Sequence, residues 1–271
     1  MTAGREGVGM ARNDNWGWRA RIGMFIVGSE AVPEAEWWAM VPPGVSVHAA
    51  RVTARAPWAA WNGDRSGVDL AEDVARGARQ FASMRLTAVV IGHSSSSIVG
   101  GKGWDEAVVA ALARELGSRV AVTTNGLDSV AAFRTSGVSR PFVVLPPWFN
   151  DDTVSRAVQY YTALGFAPAG HLRYDPGRKW RDLPPGDLYP QGMGFEQEVE
   201  PLYQQIRARC PPEADGVFIA GTGFRCVAIL DDLETDLGKP VLSANQASLW
   251  HCLRLSGVRS PVAGYGRLLG L

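Results

Sequence analysis

Apolar positions along this 271-residue chain fall into short continuous runs separated by amphipathic stretches. The run Ala88–Ile91 (AVVI) is rich in β-branched residues and bounded by Gly92, so it predicts a strand buried on both faces, as in a parallel sheet. Arg21–Val27 (RIGMFIV), Pro141–Leu145 and Gly216–Ala220 read the same way. Val45–Val52 alternates and predicts a further strand, with His48 as a half-buried strand residue or, as the alternative, a catalytic one. Further strands are predicted over Arg119–Thr123, His171–Tyr174 and Pro240–Ser243. Helical periodicity covers Pro33–Met40, Leu70–Met84, Asp105–Leu116, Leu127–Thr135, Thr153–Leu164, Glu196–Arg209, Cys226–Leu237 and Gln246–Leu255. Ala56–Asp69, with Trp58, Trp61, Asn62 and Gly63, reads as a loop, and Asp175–Gly194 as an irregular segment carrying Arg178-Lys179-Trp180-Arg181.

Alternating strands and helices of this length imply right-handed βαβ units on parallel sheets. The pattern also repeats. TAVVIGHSS (Thr87–Ser95) resembles DGVFIAGTG (Asp215–Gly223), and RIGMFIVGS resembles RPFVVLPPW. Ser118–Val138 resembles Gly238–Val258, with Asn125 matching Asn245 and Gly137-Val138 matching Gly257-Val258. The fold class expected is therefore α/β, with two pseudosymmetric lobes, each a mainly parallel sheet flanked by helices, and a cleft between them. Lobe 1 would comprise residues 21–126 and 245–271, lobe 2 residues 127–244, and residues 1–20 a flexible N-terminal arm. His93 would face Gly221 across the cleft.

Lys+Arg and Asp+Glu are equal at 27 each, which offers no electrostatic case for nucleic acid or an anionic membrane. No apolar run approaches the roughly 18 residues of a membrane span, and the first residues lack the apolar core of a secretory signal. Cys210, Cys226 and Cys252 are an odd, sparse set without CxxC spacing, so a reducing, cytoplasmic setting is expected. The four histidines show no HxxxH or HxH spacing, and no metal site is expected.

Candidate chemistry gathers where strands end, since ligands of open α/β sheets bind past the carboxyl ends of strands. His93 is placed there, followed by Ser94 to Ser97. Its ordinary pKa near 6.5 suits a general acid or base, although a hydrogen-bonded structural histidine is the alternative. Ser94, Ser95 and Thr222, with nearby N–H groups, would cradle a carboxylate, or the serines would cap the next helix. Glu30 would steer or share a proton with His93, or stand as an exposed loop carboxylate. Trp148 fits an apolar pocket wall or the core. Arg178, Lys179 and Arg181 read as basic surface, with reach to a substrate carboxylate as the alternative.

The stretches RIGMFIVGSE, PPGVSVHAARV, TAVVIGHSSSSIVGG, FVVLPPWFNDDTVSRAVQYYTALGF, DGVFIAGTGFR, LETDLGKPVLSANQASLWHCLRLSGV and GYGRLL resemble the Asp/Glu racemase superfamily, in its maleate cis-trans isomerase and arylmalonate decarboxylase branch. The resemblance implies two pseudosymmetric lobes with the site between them. It also implies chemistry without metal or organic cofactor, in which protons move, or a thiolate adds, beside a carboxylate. The family's two cysteine positions fall on His93, followed by Ser94-Ser95, and on Gly221, followed by Thr222-Gly223. Its tyrosine after proline falls on Trp148, and its asparagine after the first strand falls near Glu30. Both thiols are replaced, so ordinary two-cysteine chemistry is not expected. The function expected is proton transfer on a small carboxylate, foremost a decarboxylase-like lyase using His93 as general acid/base. The alternatives are an isomerase or racemase-like enzyme without cysteine catalysis and a non-catalytic carboxylate-binding protein. The partner is a small-molecule carboxylate, with homo-oligomerisation left open.

Overall fold

The computed structural model describes residues 14–271. In chain order the elements are β1 (Ala20–Val27), α1 (Val32–Met40), β2 (Val45–Val52), β3 (Ala59–Trp61), β4 (Val68–Leu70), α2 (Glu72–Ala82), β5 (Ala88–Ile91), α3 (Ser94–Gly100), α4 (Trp104–Leu116), β6 (Ala121–Thr124), α5 (Asn125–Ser136) and β7 (Pro141–Leu145). There follow α6 (Asp151–Ala163), β8 (Gly170–Arg173), α7 (Arg178–Arg181), α8 (Pro185–Leu188), α9 (Met193–Glu196), α10 (Val199–Arg209), β9 (Gly216–Ile219), α11 (Leu230–Leu237), β10 (Val241–Ser243) and α12 (Ala244–Leu255).

Two four-stranded parallel sheets form, in the orders β2-β1-β5-β6 and β8-β7-β9-β10. The orders superimpose when β1, β2, β5 and β6 are matched with β7, β8, β9 and β10. That is the internal repeat in three dimensions, and it makes the ends of β5 and β9 equivalent. The apolar runs explain the central strands, because a parallel strand covered on both sides has no polar face. In β1, Ile22, Met24 and Ile26 face the large core shared by the two sheets, while Phe25 faces a second core with Phe81, Trp104 and Leu112.

The helices after the last strand of each sheet tie the lobes together. Helix α5 starts from a Thr124 cap and drives Phe133 into the rings of Tyr161, Phe166 and Phe218. Helix α12 starts from a Ser243 capping box and packs on α1, α5, β5 and β6. Both helices end identically. Gly137 and Gly257 take positive φ (70° and 75°), and the amides of Val138 and Val258 return to Phe133 and Leu253.

Three expectations change. Ala56–Asp69 contains the antiparallel hairpin β3–β4, with strands too short to show a period. Ser94–Gly100 is helical. Of the arm expected over residues 1–20, residues 1–13 lie outside the described residues, whereas 14–19 are tied down. Asn15 donates to the carbonyls of Pro42 and Val45, the Gly44 amide reaches the Asp14 carbonyl, and β1 begins at Ala20.

Candidate active site

A cavity of about 220 Å³ opens past the carboxyl ends of β5 and β9, where the lobes meet. It is lined by Glu30, His93, Ser94, Ser95, Trp148, Gly221, Thr222 and Gly223, the eight residues singled out from the sequence, together with Phe149 and Tyr189 among others. A larger cleft of about 400 Å³ carries Arg178, Lys179 and Arg181 instead. These cations do not line the His93 cavity. Arg181 pairs with Asp175 at 2.6 Å and Lys179 with Glu196. The smaller cavity is the candidate because it stands at the strand ends and gathers unpaired polar groups.

The run Ser94 to Ser97 occupies one turn of α3, so four hydroxyls at about 100° intervals point four ways. Ser94 donates to Asn125 Oδ1 at 2.7 Å and accepts the Gly221 N–H at 3.2 Å. Ser96 turns to His93, and Ser97 donates to the buried Asp105 at 2.6 Å. Ser95 forms no hydrogen bond within the protein among the described residues and faces the cavity. Across the pseudo-twofold, Thr222 Oγ1 donates to the Gly92 carbonyl at 3.0 Å. The equivalent residues Ser94 and Thr222 thus each hold the opposite strand end. Two of the three hydroxyls expected to meet a carboxylate direct their protons into the protein. Ser95 and the amides of Ser95, Thr222 and Gly223 remain free of protein acceptors among the described residues.

His93 is the N-cap residue of α3, in extended conformation. Its ring stacks on Trp58, with centroids 4.2 Å apart and planes 21° apart, a contact worth roughly 0.5–1.5 kcal/mol beyond burial. Nδ1 lies 2.8 Å from Ser96 Oγ, which also accepts the Trp58 main-chain N–H at 3.0 Å. Nδ1 is the acceptor within reach of the Ser96 proton among the described residues, so we assign that proton to Nδ1 and the ring proton to Nε2. Burial pushes the imidazole down to about 3, so it is uncharged at neutral pH. The charged acid expected from an ordinary histidine is not present there, and the ring offers an N–H donor instead. Trp58 and Ser96 were not legible as partners, because Trp58 sits in a segment without periodicity.

Glu30 follows β1 and is buried, 6% exposed. Among the described residues no hydrogen bond joins it to His93, whose Nδ1 is held by Ser96. Its Oε2 has no partner, and a Cβ at Gly223 would collide with the carboxyl. Burial lifts the group to about 8. Glu30 therefore carries a proton at neutral pH. Trp148 meets Tyr189 and Phe224 edge to face, with centroids 5.0 and 5.7 Å apart, making it a cavity wall packed on the core.

The turn after β9 is held from outside. Gly221 adopts a φ of +94°. Buried Glu36 of α1 accepts the amides of Cys226 and Val227 at 2.6 and 3.0 Å, and Asn245 donates to Glu36 at 2.6 Å and to the Thr222 carbonyl at 2.8 Å. Asn125, its repeat partner, donates to the Ala244 carbonyl and Ser248 while receiving Ser94. None of the three cysteines lines the cavity; Cys226 and Cys252 are buried elsewhere. His48 is half-buried on its strand, 2.9 Å from Ser46. Among the described residues, no helix is long and apolar enough to cross a membrane, and no group of three His, Cys, Asp or Glu could hold a metal ion.

Residues 195–269 match the family model for arylmalonate decarboxylase. Arylmalonate decarboxylase of Bordetella bronchiseptica is 25% identical over 199 residues, which is 73% of this chain and 77% of that protein. Among solved structures, maleate isomerase Iso from Pseudomonas putida S16 aligns with a TM-score of 0.77 at 17% identity, over 93% of this chain and 98% of that one. A mutant of Nocardia farcinica maleate cis-trans isomerase with a covalently bound succinylcysteine intermediate aligns with a TM-score of 0.73 at 21% identity, over 92% and 98%. The chain has the α/β fold of arylmalonate decarboxylase and maleate isomerase, and these likenesses support a relationship to that family.

Proposed function

We propose that this protein is a cofactor-independent lyase that removes one carboxylate from a small malonate-type acid and protonates the carbon left behind. The observation that carries the reading is the asymmetry of the cavity: an imidazole on one strand end, a bare glycine on the other, and no thiol at either. The Nocardia isomerase is seen with a succinylcysteine, and a thiolate route needs such a residue in reach. Ser95 and the free amides hold the carboxylate that stays. When the C–C bond breaks, its electron pair passes to the substrate carbon and into that carboxylate, and CO2 leaves as a neutral molecule. Hydrogen bonds aimed at the developing enediolate are each worth about 3 kcal/mol. His93 contributes one as an uncharged Nε2–H donor. Glu30 gives its proton to the carbon, becomes a carboxylate and is reprotonated from water. Among the described residues no Lys or Arg lines the cavity, so no ion pair stabilises the carboxylate that must give up its charge to leave as CO2.

Turnover of a prochiral arylmethylmalonate in D2O tests this. One deuterated enantiomer is expected. Removing His93 as Ala takes away one donor and should cost roughly 10²–10³-fold in rate, and E30Q should lose turnover while still binding product. A racemic product, or full activity without His93, would overturn the reading.

A further inference from the structure

Five buried side-chain oxygens lack a hydrogen-bond partner among the described residues, and two of them, Glu30 Oε2 and Tyr189 Oη, belong to residues that line the candidate cavity. The other three belong to Asn62, Asp73 and Asp128, which do not. Native proteins rarely leave such groups unpaired, and two together mark a place where a ligand supplies the partner. Tyr189 comes from the irregular 175–194 segment, between α8 and α9, and its ring is fixed against Trp148 at 82°. Glu30 comes from the other lobe. We propose that Glu30 and Tyr189 form an uncharged two-donor subsite that takes a second carboxylate of the ligand, so that binding a diacid is coupled to keeping, or taking up, one proton on Glu30. The assignment rests on the carboxylate reading of the cavity and extends it to one residue from each lobe.

The chemistry requires the proton. An ionised Glu30 would repel a carboxylate and could only accept, whereas Glu30 as an acid donates one hydrogen bond and Tyr189 a second. No other charge replaces it. Arg51 donates to the Glu30 main-chain carbonyl at 2.8 Å and is drawn outward to Glu34. Glu36 on α1 is engaged by Asn245, with Arg225 beside it. His93 is neutral, and burial together with Glu30 holds the Tyr189 hydroxyl above its ordinary range. Free Glu30 titrates at about 8, and a bound anion raises it further. Below that pH a diacid binds without proton exchange. Above it, each bound diacid draws in one proton, and affinity falls by up to tenfold per pH unit.

Calorimetric titration with malonate, and with acetate as the one-carboxylate probe, decides the matter when run from pH 6 to 9.5 in two buffers of different ionisation heat. The wild-type protein should take up close to one proton per malonate at pH 9 and almost none at pH 7, where malonate is already a dianion, with acetate showing neither effect. In E30Q the uptake should vanish and malonate affinity should stay flat with pH, because the amide mimics the protonated acid. In Y189F malonate should weaken about tenfold at pH 6 and acetate less than twofold. Proton uptake that persists in E30Q, or equal weakening of both acids in Y189F, overturns the subsite while leaving the carboxylate reading intact. Absence of saturable binding for both acids overturns the two together. Thermal unfolding of each variant separates these outcomes from loss of fold.

Discussion

The ends of β5 and β9 are topological equivalents built in opposite ways. At β5 the chain turns straight into α3, and the residues that reach the cavity are set by the helix itself and by Trp58 stacked on His93. At β9 no helix follows at once. The chain passes through a positive-φ glycine into an open turn whose amides are held by Glu36 and, at Arg225, by Gln197 on the approach to α10, while its Thr222 carbonyl accepts from Asn245. One end runs straight into a helix, with Trp58 stacked on it, and carries a side chain. The other is supported from a distance and carries none. A two-fold scaffold thereby yields a one-sided site, which suits a reaction that delivers a proton to a single face.

The largest effect should come from the remote support. Glu36→Ala would orphan two amides and the Asn245 side chain in the core, and should destabilise the protein by about 3–5 kcal/mol in urea unfolding. A loss under 1 kcal/mol would mean the β9 turn holds itself. Next is Gly221→Ala. Its Cβ would meet Pro146 Cγ at 2.9 Å on a backbone side chains rarely adopt, so a cost of about 1–3 kcal/mol is expected. A neutral outcome would show that this end tolerates a side chain as the β5 end does.

Titration separates the ends further, at up to about 1.4 kcal/mol per pH unit for each group. His93 is depressed to about 3 in the folded protein, so below its ordinary 6.5 the unfolded chain binds the extra proton and stability falls as pH drops toward 3. Glu30 is raised to about 8, so the folded protein holds the extra proton between the ordinary 4.5 and 8, and this contribution is lost as pH rises through that window. Replacing His93 with Asn should flatten the acid limb, and E30Q the alkaline limb, of a stability profile followed by chemical denaturation. The smallest change is Ser96→Ala, about 1 kcal/mol. Its clearer readout is the ¹⁵N spectrum of His93, which should show the Nε2–H form in the wild type and a mixture of tautomers in the variant.

Much of the frame was readable from residues alone. The apolar runs ending at Val27, Ile91, Leu145 and Ala220 marked all four central strands, because a strand buried on both faces must be apolar throughout. The paired registers of Asn125 with Asn245 and Gly137 with Gly257 announced two related halves. The eight cavity residues were named from strand ends and family likeness before any geometry. What failed to show had no local signature. Four serines and two glycines carry no helical period, so α3 was not predicted, and the three-residue strands of the hairpin were too short to alternate.

Tertiary structure alone decided the chemistry of those residues. Which serine faces the cavity, that Ser96 and Trp58 hold His93, and that Tyr189 enters from an aperiodic segment all depend on contacts between distant parts of the chain. Protonation was decided the same way. An isolated histidine and glutamate would be near 6.5 and 4.5, and it is burial at the junction of two lobes that moves them apart, leaving the imidazole bare of charge and the carboxyl in possession of its proton. Sequence determines which side chains are present and the strands that carry them; the solvent each one loses is a property of the folded whole.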